Sequence, residues 1–307
     1  MSNVYGIVPS RRLGRSLGLS TIPLSTCTYS CVYCQLGRTK NMTMERKDFF
    51  DIDELVKEVK GYIDKTDDFD VITLVGEGEP TLYSQTGKLI KRIKQLFNKP
   101  VALITNGSLF FLEEVRQECM NADIVMPTLD AWDDKSFRTL NRPFKTIAFE
   151  KMYKGLQDFR KDYKGDFYLE IMCVKGITDK GNNMTLLTDK INRLKPDKIF
   201  VNTPVRPPAE YWVERCSNEF VENLQKYFGS NKAVEIPSTS LYSHKIDLYY
   251  AIIDIIKRHP LDESGINKFC IKREEDPKQI IERLSKDSHV ERIEYENKVF
   301  FRIKSKK

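Results

Sequence analysis

The chain has 307 residues but only three histidines (His244, His259 and His289), all in its last quarter. Ahead of residue 244, therefore, no mixed Cys/His zinc site can form. No apolar run approaches the roughly 18 residues of a membrane span, and the opening MSNVYGIVPSRRLGRSLG has no apolar leader core. The expectation is a soluble cytoplasmic protein without a membrane partner. Seven cysteines, an odd number, with no export signal argue against a disulfide framework. There is no repeat at a solenoid period and no low-complexity tract. Charge of one sign is also scarce: 50 basic against 44 acidic residues give +6, which permits an anionic substrate or a nucleic acid without demanding one.

What is present is alternation. With 40% hydrophobic and 31% charged residues, the chain can build a packed core. Runs rich in β-formers appear at GLSTIPL (18–24), DVITLVG (70–76), VALITNG (101–107), DIVMPTL (123–129), FYLEIMCV (167–174) and KIFVNTP (198–204). Several are apolar almost throughout, as in strands buried on both faces of a parallel sheet. Helical patterns separate them: IDELVKEVKGYI with Asp51 or Asp53 as N-cap, TGKLIKRIKQLF, LFFLEEVRQECM, AFEKMYKGLQDFRKDY and NMTLLTDKINRL. Six βα units predict an α/β fold, a partial (β/α)6 TIM-like barrel over residues 1–236. A Ser/Thr-rich linker is expected at 237–245. Residues 246–307 then read as an amphipathic helix ended by Pro260, a short helical piece, a helix opened by Asp276 and Pro277, and two strands around Glu296-Asn297. That order predicts a small winged-helix-like α+β region.

Cys27, Cys31 and Cys34 stand apart from the other cysteines in STCTYSCVYCQ. Structural zinc wants four ligands, and no fourth Cys or His follows nearby. An iron–sulfur cube fits better, because cysteine thiolates are its usual ligands. Three ligands leave one iron open to a small molecule. Cys119, Cys173, Cys216 and Cys270 are scattered singly and read as ordinary thiols.

C-x3-C-x2-C after a first β-strand resembles the signature of the radical S-adenosylmethionine (SAM) superfamily. The resemblance implies a [4Fe–4S] cluster on Cys27, Cys31 and Cys34. SAM would chelate the open iron, and reductive cleavage would give a 5′-deoxyadenosyl radical that takes hydrogen from a substrate. Tyr33 lies where such proteins carry an aromatic near the adenine. LVGEGEPTLY (74–83) resembles the second-strand motif, so Gly76, Glu77, Gly78, Glu79 and Pro80 would bring carbonyls and a carboxylate to the ligand's ammonium; Gly permits the close approach, and an ammonium wants acceptors. Asn106 in ITNGS, Thr128 and Asp130 toward the ribose hydroxyls, Glu170, and Asn202 complete the implied cofactor set at strand ends. A flavodoxin- or ferredoxin-type reductant is implied as partner.

Within that superfamily the text over residues 4 to about 215 is most similar to the wyosine-synthetase-like group. The similarity rests on YGIVPSRRLGRSLGLSTIPLSTCTYSCVYCQLGRT, TLDAW, LNRP, LEIMCVKG and NTPVRPPAEYW. Nothing before Cys27 is a cysteine, whereas the tricyclic-base-forming enzymes of that group carry a second cluster there. Arg11, Arg12, Arg15, Arg142 and Arg206 are the substrate candidates, since arginine binds carboxylates and phosphates bidentately; surface residues or loop braces are the alternative. A tRNA or other RNA substrate would use the winged region and Lys268, Lys272, Arg273 and Lys278. A small molecule or peptide would leave that region as a lid or partner site. A non-catalytic iron–sulfur redox regulator that binds nucleic acid is the rival from another class.

Overall fold

The computed structural model describes residues 2–10, 12–230 and 247–304. β1 (Val4–Ser10) and β2 (Gly14–Leu19) form an antiparallel hairpin. The following segment carries the cysteines and a short parallel pair, β3 (Thr26–Cys27) and β4 (Asn41–Met42). Regular alternation then begins: α1 (Ile52–Ile63), β5 (Val71–Leu74), α2 (Thr86–Leu96), β6 (Val101–Thr105), α3 (Glu113–Cys119), β7 (Ile124–Pro127), α4 (Asp134–Leu140), α5 (Phe149–Asp162), β8 (Asp166–Met172), α6 (Asn183–Leu194), β9 (Lys198–Asn202) and α7 (Asn218–Tyr227). The seven-stranded sheet has the order β1-β2-β5-β6-β7-β8-β9, and every neighbour pair from β2 onward is parallel. Six parallel strands with helices between them make the partial barrel that the alternation predicts.

The local causes are visible. Asp51 caps α1 by accepting from the backbone N–H of Asp53 and Glu54, and all four residues of β5 are buried, hence its unbroken apolar text. The first barrel strand lies at 14–19, earlier than the run at 18–24 suggests. Its polar Ser16 is buried and hydrogen-bonded to Thr73 Oγ1 at 2.6 Å, so an apolar criterion passes over it. β1 is also unanticipated. Gly6 and Pro9 disguise it, and an edge strand tolerates both. α4 is set by a capping box between Asp133 and Ser136.

The C-terminal module contains α8 (Leu248–Ile256), β10 (Leu261–Asp262), α9 (Glu263–Lys272), α10 (Pro277–Lys286), β11 (Val290–Tyr295) and β12 (Lys298–Ile303), with sheet order β10-β12-β11. This is the element order of a winged helix-turn-helix. Glu296 and Asn297 both take positive φ, 50° and 58°, giving the two-residue turn that matches strand twist. The expected linker at 237–245 lies outside the described residues. The module has its own apolar core, including Ile252, Ile266, Phe269, Leu284 and Phe301.

The module touches the edge strand β1 and the loop that follows the other edge strand, β9. Val8 of β1 packs against the module core, and the Arg258 guanidinium lies over the Tyr5 ring at 4.4 Å. On the other side, the Tyr295 hydroxyl donates to the carbonyl of Pro204, just past β9, at 3.1 Å. The C-terminal module thus contacts the barrel near both edges of its sheet.

Candidate functional site

The cysteines lie on the segment leaving the C-terminal end of β2. Cys27, Cys31 and Cys34 are half-buried. Burial pushes the Cys27 thiol up to about 12, and the charges of Glu79 and Cys34 add to it. Cys31 is raised well above the usual range by burial and by the other two thiols. Cys34 is raised by burial, partly offset by the Leu36 N–H and the charge of Arg302 on β12. Donors converge on the sulfurs: Tyr29 N–H and Asn106 Nδ2 reach Cys27 Sγ at 3.5 Å each, and Asn141 Nδ2 reaches Cys31 Sγ at 3.6 Å. Among the described residues no three Cys, His, Asp or Glu side chains close on a single ion.

The GEGEP turn is built against this loop. Thr26 pairs with Gly78, the Glu79 N–H donates to Thr26 O at 3.1 Å, and the Ser25 N–H donates to Glu77 O at 2.6 Å. A Cβ on Gly78 would lie 1.8 Å from Thr26 O, and Gly76 has φ +154°, so glycine is required at both. Glu79, expected to offer a carboxylate to the ligand, is engaged within the protein. It is buried, and it already accepts from Thr81 N (3.0 Å), Thr81 Oγ1 (2.6 Å), Thr105 Oγ1 (2.6 Å) and Asn106 N (2.7 Å). It caps the 3-10 turn Pro80–Leu82 and ties two strand ends together. Glu77 accepts from Ser20 Oγ at 2.5 Å and pairs with Arg258 of the C-terminal module at 2.9 Å.

Asn106 faces the cysteine loop through Nδ2, which also donates to Thr28 Oγ1 at 2.8 Å. Thr128 is half-buried just past β7, where it pairs with Glu170. Asp130, expected to meet ribose hydroxyls, has partners within the protein. Its carboxylate is a buried hub that accepts from the Tyr33 hydroxyl, from Asn141 Nδ2 at 2.9 Å and from Met172 N at 2.7 Å. Burial raises it to about 6 against those three bonds. Asn141, in LNRP, joins Asp130, Tyr33 and Cys31, and its sequence context carries no signal of that role. Glu170 accepts from Asn202 Nδ2 at 2.6 Å and pairs with Arg12.

The arginine candidates separate. Arg12 reaches into the barrel to Glu170. Arg206 donates to Gln35 Oε1 at 3.3 Å, beside the cysteine loop. Arg15 instead pairs with Asp68 and Asp70 at the N-terminal ends of β2 and β5, away from the strand ends that carry the cysteines. Arg142 pairs with buried Glu210, which also takes a bidentate contact from Arg38 at 2.7 and 2.9 Å. It braces the cysteine loop rather than the mouth. Arg11 lies outside the described residues. Cys119, Cys173, Cys216 and Cys270 are all buried in apolar cores.

The donor set fits a cluster with a small-molecule ligand. One further observation concurs. The Tyr29 hydroxyl is buried without a hydrogen-bond partner among the described residues, and it feels the charges of Cys31, Glu79, Cys27 and Asp130. A polar group among those side chains would satisfy it.

The Radical SAM superfamily model matches residues 21–186, a little over half of the chain. The chain belongs to this superfamily, and it is a radical SAM enzyme; membership implies a [4Fe–4S] cluster, SAM and an electron donor. Its relatives include a UPF0026 protein of Methanocaldococcus jannaschii, 33% identical over 98% of this chain and 96% of that one. A Brachyspira hyodysenteriae protein named GTPase Obg is 39% identical over 77% of this chain, which spans only 35% of that longer protein. Among solved structures, Streptococcus suis SuiB bound to its precursor peptide SuiA superimposes with TM-score 0.52 at 15% identity, covering 74% of this chain and 49% of SuiB. A radical SAM methyltransferase from Sphaerobacter thermophilus gives 0.52 at 16% identity, covering 70% of this chain and 63% of that one. At such identities the structural likeness speaks for the fold alone. No helix among the described residues is long and apolar enough to cross a membrane.

Proposed function

We propose that Cys27, Cys31 and Cys34 hold the cluster and that SAM lies between the GEGEP turn, Asn106, Thr128 and the strand ends of Glu170 and Asn202. Bound there, the two groups would supply radical chemistry on reduction. The chain's own residues do the rest. Asn106 and Asn141 direct N–H donors at the sulfurs, which favours thiolate over thiol. Tyr33, Asp130 and Asn141 fix the loop that carries Cys31. Glu79 holds β5 and β6 at one spacing beneath the ligand. The observation that carries this reading is the convergence of three thiols from one loop with a glycine turn that admits no side chain at Gly78.

The finer reading places the enzyme with the wyosine-synthetase-like group, acting on a tRNA or other RNA with electrons from a flavodoxin or ferredoxin. Exposed Lys268, Lys272 and Lys278 on α9 and α10 supply a basic face for such a substrate. Anaerobic reconstitution with iron and sulfide tests the core of it. About four irons per chain, as a single cube requires, and deoxyadenosine that disappears in Cys31→Ala are expected. Iron without deoxyadenosine after dithionite and SAM overturns the catalytic reading. RNA binding that is insensitive to salt, where phosphate contacts demand a steep dependence, overturns the RNA assignment.

A further inference from the structure

The segment that carries the cysteines closes on itself at a neck, where the Lys40 N–H donates to Ser25 Oγ at 3.0 Å. The C-terminal module is moored beside that neck. Gln35, one residue after Cys34, donates through Nε2 to the carbonyl of Arg258 at 3.0 Å and lies 3.0 Å from His259 Nδ1. A surface crevice runs between the two parts. Leu24, Leu36 and Lys40 line it from the cysteine segment, and Lys257, Arg302 and Lys304 line it from the module.

The crevice reaches a cluster ligand. Leu36, in its wall, bonds its backbone N–H to the Cys34 thiol, and the charge of Arg302 acts on the same sulfur. A single residue thus spans from the crevice to Cys34. The walls are basic, and among the described residues no acidic side chain lines them. Lys257 pairs with Asp254 at 3.2 Å and Arg302 with Glu291 at 2.8 Å. Lys40 and Lys304 are exposed, and neither ammonium has an ionic or hydrogen-bond partner among the described residues. Between these charges Leu24 is 41% exposed. Apolar surface inside a polar rim is the anatomy of a protein contact, and a redox encounter needs little of it.

We propose that this crevice is the docking surface for an acidic electron-carrier protein that reduces the cluster. Lysines on both walls steer a protein of opposite charge toward it. One electron leaves the carrier, which is oxidised, and enters the cluster, which is reduced; no proton needs to accompany it. A substrate must lie at the strand ends, whereas a carrier has only to approach one cluster thiolate from outside. Cys34 is the thiolate that the crevice wall touches, which favours a carrier over a nucleic acid here. The proposal rests on the radical-enzyme reading for the cluster, and the surface is read from its own residues.

The test mixes the reconstituted protein with two reduced acidic donors in turn, a flavodoxin and a plant-type ferredoxin, and follows each donor's own absorbance as it is oxidised. Lys40→Glu/Lys304→Glu should slow donor oxidation at low salt by about tenfold or more, as lost steering predicts, and the wild-type rate should fall as salt rises. Dithionite needs no docking surface, so with it the variant should match the wild type. Lys65→Glu/Lys164→Glu makes the same change of net charge at exposed positions before β5 and β8 and should behave as the wild type with both donors. Donor rates equal in wild type and Lys40→Glu/Lys304→Glu, rates insensitive to salt, or failure of both donors with the wild type overturns the surface. A variant slowed as much with dithionite has lost cluster function, not docking, and also counts against it. Loss of tRNA binding with the donor rate unchanged assigns the crevice to RNA and overturns the proposal too. Circular dichroism and iron content check folding, and Lys304→Glu alone, just past β12, carries the same test if the double variant holds less iron. Wild-type protein that oxidises the donors in this way but makes no deoxyadenosine would sink the reading of the preceding section and leave this one standing.

Discussion

Glu77 and Glu79 lie two residues apart in one turn, yet they belong to different parts of the molecule. Glu79 takes four hydrogen bonds from its own barrel. Glu77 takes one from Ser20 and pairs with an arginine about 180 positions away in sequence, on the winged module. The first holds strands together; the second holds one folded unit against another. The barrel is secured by backbone ladders and a continuous core, the module by a few long polar side chains reaching into the mouth.

That contrast can be broken by experiment. Glu79→Ala leaves two backbone donors and two hydroxyls without their acceptor in a buried place, and should cost roughly 4 kcal/mol, read as a fall in urea midpoint and in iron retained. Glu77→Gln keeps an acceptor but strands the Arg258 charge. It should cost about 3 kcal/mol, appearing as faster hydrogen exchange in α8 and β12 with β5 and β6 unchanged. Equal loosening of barrel and module in both variants would remove the distinction. A Glu77→Gln/Arg258→Met double variant should recover part of the loss.

A smaller effect sharpens the interface side. The folded imidazole of His259 is held near 3 against an ordinary 6.5. As pH falls, the unfolded chain binds the proton first, so this contribution is complete above 6.5 and is lost as pH falls toward 3. Asp130, raised to about 6, works in the opposite sense below 6, so the comparison must be with His259→Gln. Between pH 7 and 5, wild type should lose more Tm than that variant; parallel curves would deny the buried neutral imidazole. Smallest of all, Arg15→Ala should leave Tm and iron content unchanged, because its ion pairs with Asp68 and Asp70 are exposed and screened.

Much of the barrel was legible because period and composition report burial. α1 at 52–63 and α6 at 183–194 coincide with their apolar periodicity, and the three-cysteine spacing stands out in any reading. What escaped was held by polar or long-range contacts. β2 begins early because a buried Ser16 bonds to Thr73. Asn141 matters through Asp130 and through two side chains far from it in sequence, Cys31 and Tyr33. Arg258 and His259 read as the polar end of an amphipathic helix, and only the docked module reveals what they touch. Arg12 and Arg15 shared one phrase and one expectation, and the hairpin sends them to different places.

The Gln35 contacts join residues 223 and 224 positions apart. Contacts of such separation close late, and a chain made from its N-terminus can fold the barrel before residues 258 and 259 are added. During synthesis the cysteine loop therefore stands uncovered on the side the module later occupies.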